Sequence, residues 1–285
     1  MKSIKICVAA ITAGVVCIAV MLGILSAAIY AENESGNSFI GLMYHQVLKD
    51  ESRAGKYIIT PGELESDLAY LSENGYVSVL PSQLVKIREQ GGRLPEKTVV
   101  ITFDDGYETG LYYVLPLLKK YGMKAVINVV GSYTDEYSRI NEEGKHLSYA
   151  YLTWSEIKKL SDSGYVEIGN HTYDMHSYNG ERNGCARKEN ESDEQYRTVL
   201  YEDVARLSDK LQQVTGKRPV AFAYPFGSLS EGSAEIIGSA GISVFMTCCE
   251  QPCSMNRNGR IVINRYNRES GRSAQQICEE FNNAF

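Results

Sequence analysis

The chain has 285 residues, enough for one large domain or two small ones, and its 44% hydrophobic and 22% charged residues are ordinary for a globular protein. The formal net charge is −6 and no basic cluster stands out, which argues against nucleic acid as a partner. At the N-terminus, Lys2 and Lys5 precede an uncharged, mostly apolar run over residues 6–30. That run exceeds the roughly 20 residues needed to cross a bilayer. It is also longer than a signal-peptide core of about 7–15 residues. The positive flank should stay in the cytoplasm and the rest be exported. "SAAIYAE" offers small residues near a cleavage site, but Ile29 fits poorly at −3 to Ala31. The expectation is therefore an uncleaved membrane anchor over residues 1–31, in preference to a cleaved signal peptide. The polar stretch 32–38 then reads as a linker and residues 39–285 as an exported domain.

In chain order, strands are expected near 39–44, 77–80, 98–103, 124–130, 166–170, 219–224, 242–247 and 260–264. Helices are expected near 61–74, 81–90, 110–121, 153–163, 194–215, 231–239 and 273–282. A helix–glycine–strand pattern recurs four times, at Gly75, Gly122, Gly164 and Gly241, and glycine suits the left-handed position just past a helix. Thr60 with Glu63, and Thr153 with Glu156, have the spacing of capping boxes, and Pro61 sits where its missing N–H costs nothing. Short apolar strands alternating with helices imply parallel β/α units. Seven or eight such units in the exported part fit a distorted (β/α) barrel, with an open doubly wound sheet as the alternative. Segments 131–152 and 177–193 read as loop insertions. Outside the apolar run, an odd number of cysteines remains: Cys185, Cys248, Cys249, Cys253 and Cys278. For an exported domain this predicts one or two disulfides, or plain buried thiols, with the 248/249/253 cluster the favoured place.

In parallel β/α folds, chemistry collects at the carboxyl ends of strands. Here His45, the pair Asp104 and Asp105, His171 with His176, and Arg265 all stand at or just beyond expected strand ends. Singly, each reads as an ordinary turn, core or surface residue. Their shared placement favours a site. Two adjacent carboxylates repel, and a bound cation lowers the cost of gathering them. Side chains alternate along a strand, so Asp104 and Asp105 should face different partners. His171 and His176 are five apart, roughly 140° of rotation on a helix, so they must converge from a strand end and the following turn. Two histidines and one carboxylate suit Zn²⁺ with an open position, and Co²⁺ or Ni²⁺ tolerate similar ligands.

"TFDDGY" (residues 102–107) with "HTYDMH" (171–176) resembles the polysaccharide deacetylases, also called the NodB-homology or carbohydrate esterase family 4 domain. "LMYHQV" (42–47), "AFAYPFG" (221–227) and "INRYNR" (263–268) resemble the branch containing biofilm poly-N-acetylglucosamine deacetylases. The resemblance implies a distorted barrel and metal-dependent removal of acetyl from N-acetylated extracellular or cell-wall polysaccharide. It implies Asp105, His171 and His176 as metal ligands and Asp104 as general base. A backbone N–H in the "YPFG" turn, that of Phe226, would stabilise the oxyanion. The sequence departs from the commoner family pattern in three places. Its histidines are five apart instead of four, as the biofilm branch accepts. Ala223 stands where an arginine is usual, and Arg265 is a candidate to replace it beside Asp104. No histidine follows His176, so the late Leu-x-His acid is absent; the resemblance to the biofilm branch, in which the histidine of the "MYH" motif takes that role, implies that His45 protonates the leaving amine. Among the aromatics near this site, Tyr107 and Tyr224 are candidate sugar subsites, while Tyr173 and Trp154 read as core. Two other functions compete: a non-catalytic glycan-binding module on a decayed fold, and a deacetylase of O-acetyl esters.

Overall fold

The computed structural model describes residues 38–140, 146–178, 182–255 and 259–283. The run expected to form the anchor lies outside these residues; among the described ones no helix is long and apolar enough to cross a membrane. Strand β1 (Ser38–Tyr44) is buried along nearly its whole length, as a helix-covered parallel strand must be. Two short strands, β2 (Gln46–Val47) and β3 (Ile58–Ile59), pair with each other beyond its end. The main sheet continues with β4 (Val77–Ser78), β5 (Thr98–Phe103), β6 (Ala125–Val129), β7 (Val166–Asn170), β8 (Ala221–Ala223) and β9 (Val244–Met246). Then come β10 (Cys253–Ser254), β11 (Ile261–Ile263) and β12 (Tyr266–Asn267).

The order across the sheet is β10-β1-β5-β6-β7-β8-β9-β11, parallel throughout except at β10. After β11 the chain runs almost directly into β12, which pairs in parallel with β1. The sheet thus curls into a nearly closed barrel, the architecture expected from the β/α alternation. Gly41 lies at the seam: a Cβ there would stand 2.3 Å from Asn264 O, so any other residue would push the closing strand away. Alternation along the strands divides the apolar residues. Phe39, Val100, Val126, Ala221, Val244 and Ile261 form one cluster; Ile40, Leu42 and Tyr44 join another with the helices.

The helices are α1 (Pro61–Glu73), α2 (Pro81–Glu89), α3 (Leu115–Tyr121), α4 (Gly131–Tyr137), α5 (Trp154–Asp162), α6 (Asp193–Thr215), α7 (Ser233–Ser239) and α8 (Ala274–Asn282). Both expected capping boxes are present, on α1 and α5. Helix α1 buries Leu64, Leu68 and Leu71 at i, i+4 and i+7, worth roughly 1.5–3 kcal/mol each. The four glycines expected after helices all have positive φ. A π-helical turn, Gly110–Val114, leads into α3, where Pro116 has no N–H to give.

Three expectations need correction. Helix α4 falls inside a segment expected to be loop; its first two N–H groups are taken by Thr172 O (3.1 Å) and Tyr173 O (2.7 Å) from a distant turn, a cap no local pattern announces. The short strands β2, β3, β10 and β12 were not anticipated. No disulfide forms among the described cysteines: Cys185, Cys248, Cys249, Cys253 and Cys278 are free thiols. Cys253 instead hydrogen-bonds Asn264 O, and Cys248 Sγ lies 3.8 Å from Met43 Sδ.

Candidate metal centre and active-site cavity

The parallel ladder carries one residue past β5, where Asp104 N–H donates to Tyr44 O (2.9 Å). Asp105 then adopts φ +71 and Gly106 φ +72, so the backbone turns sharply within the acidic pair. The two carboxylates therefore reach the same cavity with different partners.

Asp105 meets the histidines. Its Oδ1 lies 3.1 Å from His176 Nε2 and 3.5 Å from His171 Nε2. One donor atom from each of the three residues falls within 4.8 Å of the others. His171 Nδ1 is 2.8 Å from Ala223 O; a carbonyl only accepts, so Nδ1 carries the proton and Nε2 presents its lone pair to the cluster. Tyr133 donates its hydroxyl to His176 O (3.0 Å) and lies 3.4 Å from the ring Nδ1. Burial alone would raise the Asp105 carboxyl, but the adjacent His171 and His176 rings, when they carry a proton on Nε2, hold it well below the ordinary carboxylate range; loss of those protons frees the lone pairs. Two converging lone-pair nitrogens and an ionised carboxylate fit a divalent metal ion, and this donor set accepts several such ions.

Asp104 meets a cation of the chain itself. Its Oδ1 accepts from Arg265 Nη1 and from Asn128 Nδ2, both at 2.7 Å. These donors converge on one oxygen and leave Oδ2 for a further partner. The Arg265 side chain is 0% exposed and that of Asp104 3%, so the pair is shielded from water. Arg265 is itself oriented by Nε to Thr247 O (2.9 Å) and Nη1 to Thr102 Oγ1 (3.1 Å). Burial would push the Asp104 carboxyl up; the Arg265 charge, with His171, overcomes this and holds it far below its usual value.

His45 follows β1 across the cavity. Its ring stands edge-on to Tyr57 at 4.7 Å, and its buried Nδ1 has no hydrogen-bond partner. Burial lowers its proton affinity, and the nearby Asp105 and Asp104 charges only partly restore it.

His45, Asp104, Asp105, Tyr107, His171, His176, Tyr224 and Phe226 all line one cavity of about 450 Å³. Arg265 supports it from behind Asp104. Tyr107 stacks on Tyr151 at 4.9 Å. Phe226 holds a left-handed φ of +58, is half exposed, and sets its ring 4.6 Å from that of His176. Tyr224 is only 3% exposed and packs on Phe222 and Phe245, so it offers a sugar little face to stack on. Tyr173 and Trp154 turn instead to Asp135, which both contact through their polar atoms. Sequence reasoning missed Asn128, although a lone amide in the apolar run "AVINVV" was a signal. It also missed Lys56, Tyr57, Cys248, Glu250 and Asn267 in the cavity wall. Of these, Lys56 and Tyr57 come from the β2–β3 excursion, and nothing in their local pattern marks them.

A family model described as Polysaccharide deacetylase matches residues 91–245, more than half of the chain. The chain belongs to the polysaccharide deacetylase family. Poly-beta-1,6-N-acetyl-D-glucosamine N-deacetylase of Escherichia coli K12 is 27% identical over 230 residues, covering 74% of this chain and 34% of the relative. The aligned region thus spans about a third of that relative's length. Among solved structures, a de-N-acetylase from Aggregatibacter actinomycetemcomitans superposes with a TM-score of 0.73 at 25% identity, covering 85% of this chain and 99% of that one. IcaB from Ammonifex degensii gives 0.68 at 26% identity, covering 86% and 97%. Both solved structures share the fold of this chain, the nearly closed parallel barrel.

Proposed function

We propose that this deacetylase is a metal-dependent hydrolase that removes N-acetyl groups from an N-acetylglucosamine-containing extracellular or cell-wall polysaccharide, with Zn²⁺ as the ion. The observation that carries the reading is the convergence of Asp105, His171 and His176 on one point of a cavity that Asp104 and His45 also line. The names of the E. coli relative and the A. actinomycetemcomitans neighbour support amide over ester chemistry.

Asp105, His171 and His176 would hold the ion, which when bound polarises the acetamide carbonyl and acidifies water. Asp104 would take a proton from the attacking water, as a weak base whose charge Arg265 stabilises. Arg265 and Asn128 fix Asp104 Oδ1, which leaves Oδ2 to receive that proton. The backbone N–H of Phe226 would face the developing oxyanion. His45 delivers a proton to the amine nitrogen, which leaves poorly as an anion. Its lowered proton affinity makes it a ready donor once protonated. Tyr107 offers an aromatic edge to the sugar. Residues 1–31 would tether the domain outside the cell membrane, on the strength of Lys2 and Lys5 preceding the long uncharged run.

Acetate release tests this. The full chain should release acetate from N-acetylglucosamine oligomers and lose that activity on chelation. Zn²⁺ should restore it. Faster release from O-acetyl xylan would replace the amide reading with the ester one. Saccharide binding without turnover in metal-replete protein would replace it with a binding module. Recovery of the protein in the soluble fraction would sink the tether.

A further inference from the structure

His171 and His176 reach one oxygen of Asp105 only because the four residues between them fold back on themselves. Thr172 takes a φ of +72, a conformation that β-branched residues resist. A turn of this kind exposes successive backbone N–H groups with no ladder to satisfy them. Here two side chains do so. Thr172 N–H donates to Asn170 Oδ1 (2.8 Å), Tyr173 N–H to Asp203 Oδ1 (2.7 Å) and Asp174 N–H to Asp203 Oδ2 (2.8 Å). Asp203 therefore gives one carboxylate oxygen to each of two consecutive amides midway between the histidines.

The support behind that contact is helix α6. Asn170 is tied to it through Val204 O (2.9 Å) and Ser208 Oγ (3.0 Å). Arg206 lies 3.5 Å over the Tyr173 ring, and Lys210 reaches Asp135, which accepts the Tyr173 hydroxyl. Asp203, Arg206 and Lys210 are spaced i, i+3 and i+7, so one helical face grips the turn. Asp203 does not line the cavity, and the groups it accepts from belong to Tyr173 and Asp174 between the two histidines. Burial pushes its carboxyl up to about 6, so placing a charge there is costly unless the amides it binds matter.

We propose that Asp203 is a positioning residue for the metal: it fixes the turn that holds His171 and His176 at the spacing one ion requires. This rests on the proposed Asp105–His171–His176 ligand set. Outer partners that orient ligands typically contribute about 10–100-fold in metal affinity. Replacing Asp203 with asparagine keeps one acceptor but turns an NH₂ group towards the second amide. Replacing it with alanine removes both acceptors.

The test is titration of the chelated full-length protein with Co²⁺, read from the visible absorption of the bound ion and by competition with Zn²⁺. Asp203→Asn should bind about 10–100-fold more weakly with an altered absorption envelope. Asp209→Asn, elsewhere on α6 and paired with Arg218, should bind like wild type. If Asp203→Ala does not fold, Asp203→Asn and Asp203→Glu carry the test, with Glu recovering part of the affinity. A folded Asp203→Asn protein with wild-type affinity and spectrum overturns this inference alone. If the wild type binds no Co²⁺, or His171→Ala binds it unchanged, the ligand set fails and this inference with it.

Discussion

Replacing Arg265 with methionine tests the electrostatics on which the Asp104 assignment depends. The two side chains are 0% and 3% exposed and meet at 2.7 Å. Methionine fills much of the space but leaves the carboxylate buried without its counter-charge. Breaking a buried pair in this way costs about 3–5 kcal/mol. The lost bonds to Thr247 and Thr102 add about 1 kcal/mol each. Against a typical domain stability of about 5–15 kcal/mol, that is a large loss. Its pH dependence is diagnostic. In the wild type the folded carboxyl is depressed, so its contribution is present above the ordinary value near 4 and is lost as pH falls towards the lower folded value. In the variant, burial is opposed only by His171, His45 and the Asn128 bond, without the Arg265 counter-charge, and the carboxyl is expected to rise above its ordinary value. Its contribution is then fully present below about pH 4 and is lost as pH rises through the folded value. The stability gap between the two proteins should therefore be wide at pH 7 and narrow at acid pH, where only the pH-independent bonds are missing. Urea unfolding of the chelated proteins across pH measures it. Adding Asp104→Leu to the variant should recover most of the loss. A gap under about 1 kcal/mol at pH 7, or one that does not narrow in acid, refutes the reasoning.

His45→Ala should lower the rate of acetate release about 10²–10⁴-fold while Co²⁺ affinity stays unchanged; equal loss of both would mean the ring supports the metal and donates no proton. Gly131→Ala should weaken metal binding and cost about 1–3 kcal/mol, because its Cβ would stand 2.4 Å from the Tyr173 ring; thermal unfolding and Co²⁺ titration report both effects. Burial opposes ionisation of Asp135, but bonds from Lys210, Tyr173 and Trp154 win and hold it at about 2. Its contribution is therefore present above about pH 4 and lost towards pH 2, so the stability gap between wild type and Asp135→Asn should close over that window in a pH-resolved urea series.

The strands, most helices and both capping boxes were legible because their signals are local. Apolar alternation, a threonine before a turn of helix and a glycine after one need only neighbours in the chain to act. The grouping of Asp104, Asp105, His171, His176 and His45 was legible for a topological reason. Parallel β/α units place every strand's carboxyl end on one face, so residues far apart in sequence share a site once the strands are located. The division between the two acids, expected from strand alternation, comes instead from the turn at Asp105, where φ is +71 just past the strand's end. The segment read as a loop and found to be α4 shows the limit, since its cap comes from Thr172 and Tyr173, some forty residues later in the chain.

By itself, then, the sequence determined the order of the main strands and helices, the barrel class and the core set of acids and histidines able to do chemistry. Tertiary structure alone decided which of them touch. Arg265 meets Asp104 because β11 and β12 close the barrel against β1, and the distance across that seam depends on register and tilt summed around the whole sheet. The same long-range packing buries Tyr224, keeps the five described cysteines unpaired, and lets one face of α6 hold the turn between the histidines. Pairings across distances of this kind are set by how backbone layers stack, and no short window of residues contains that information.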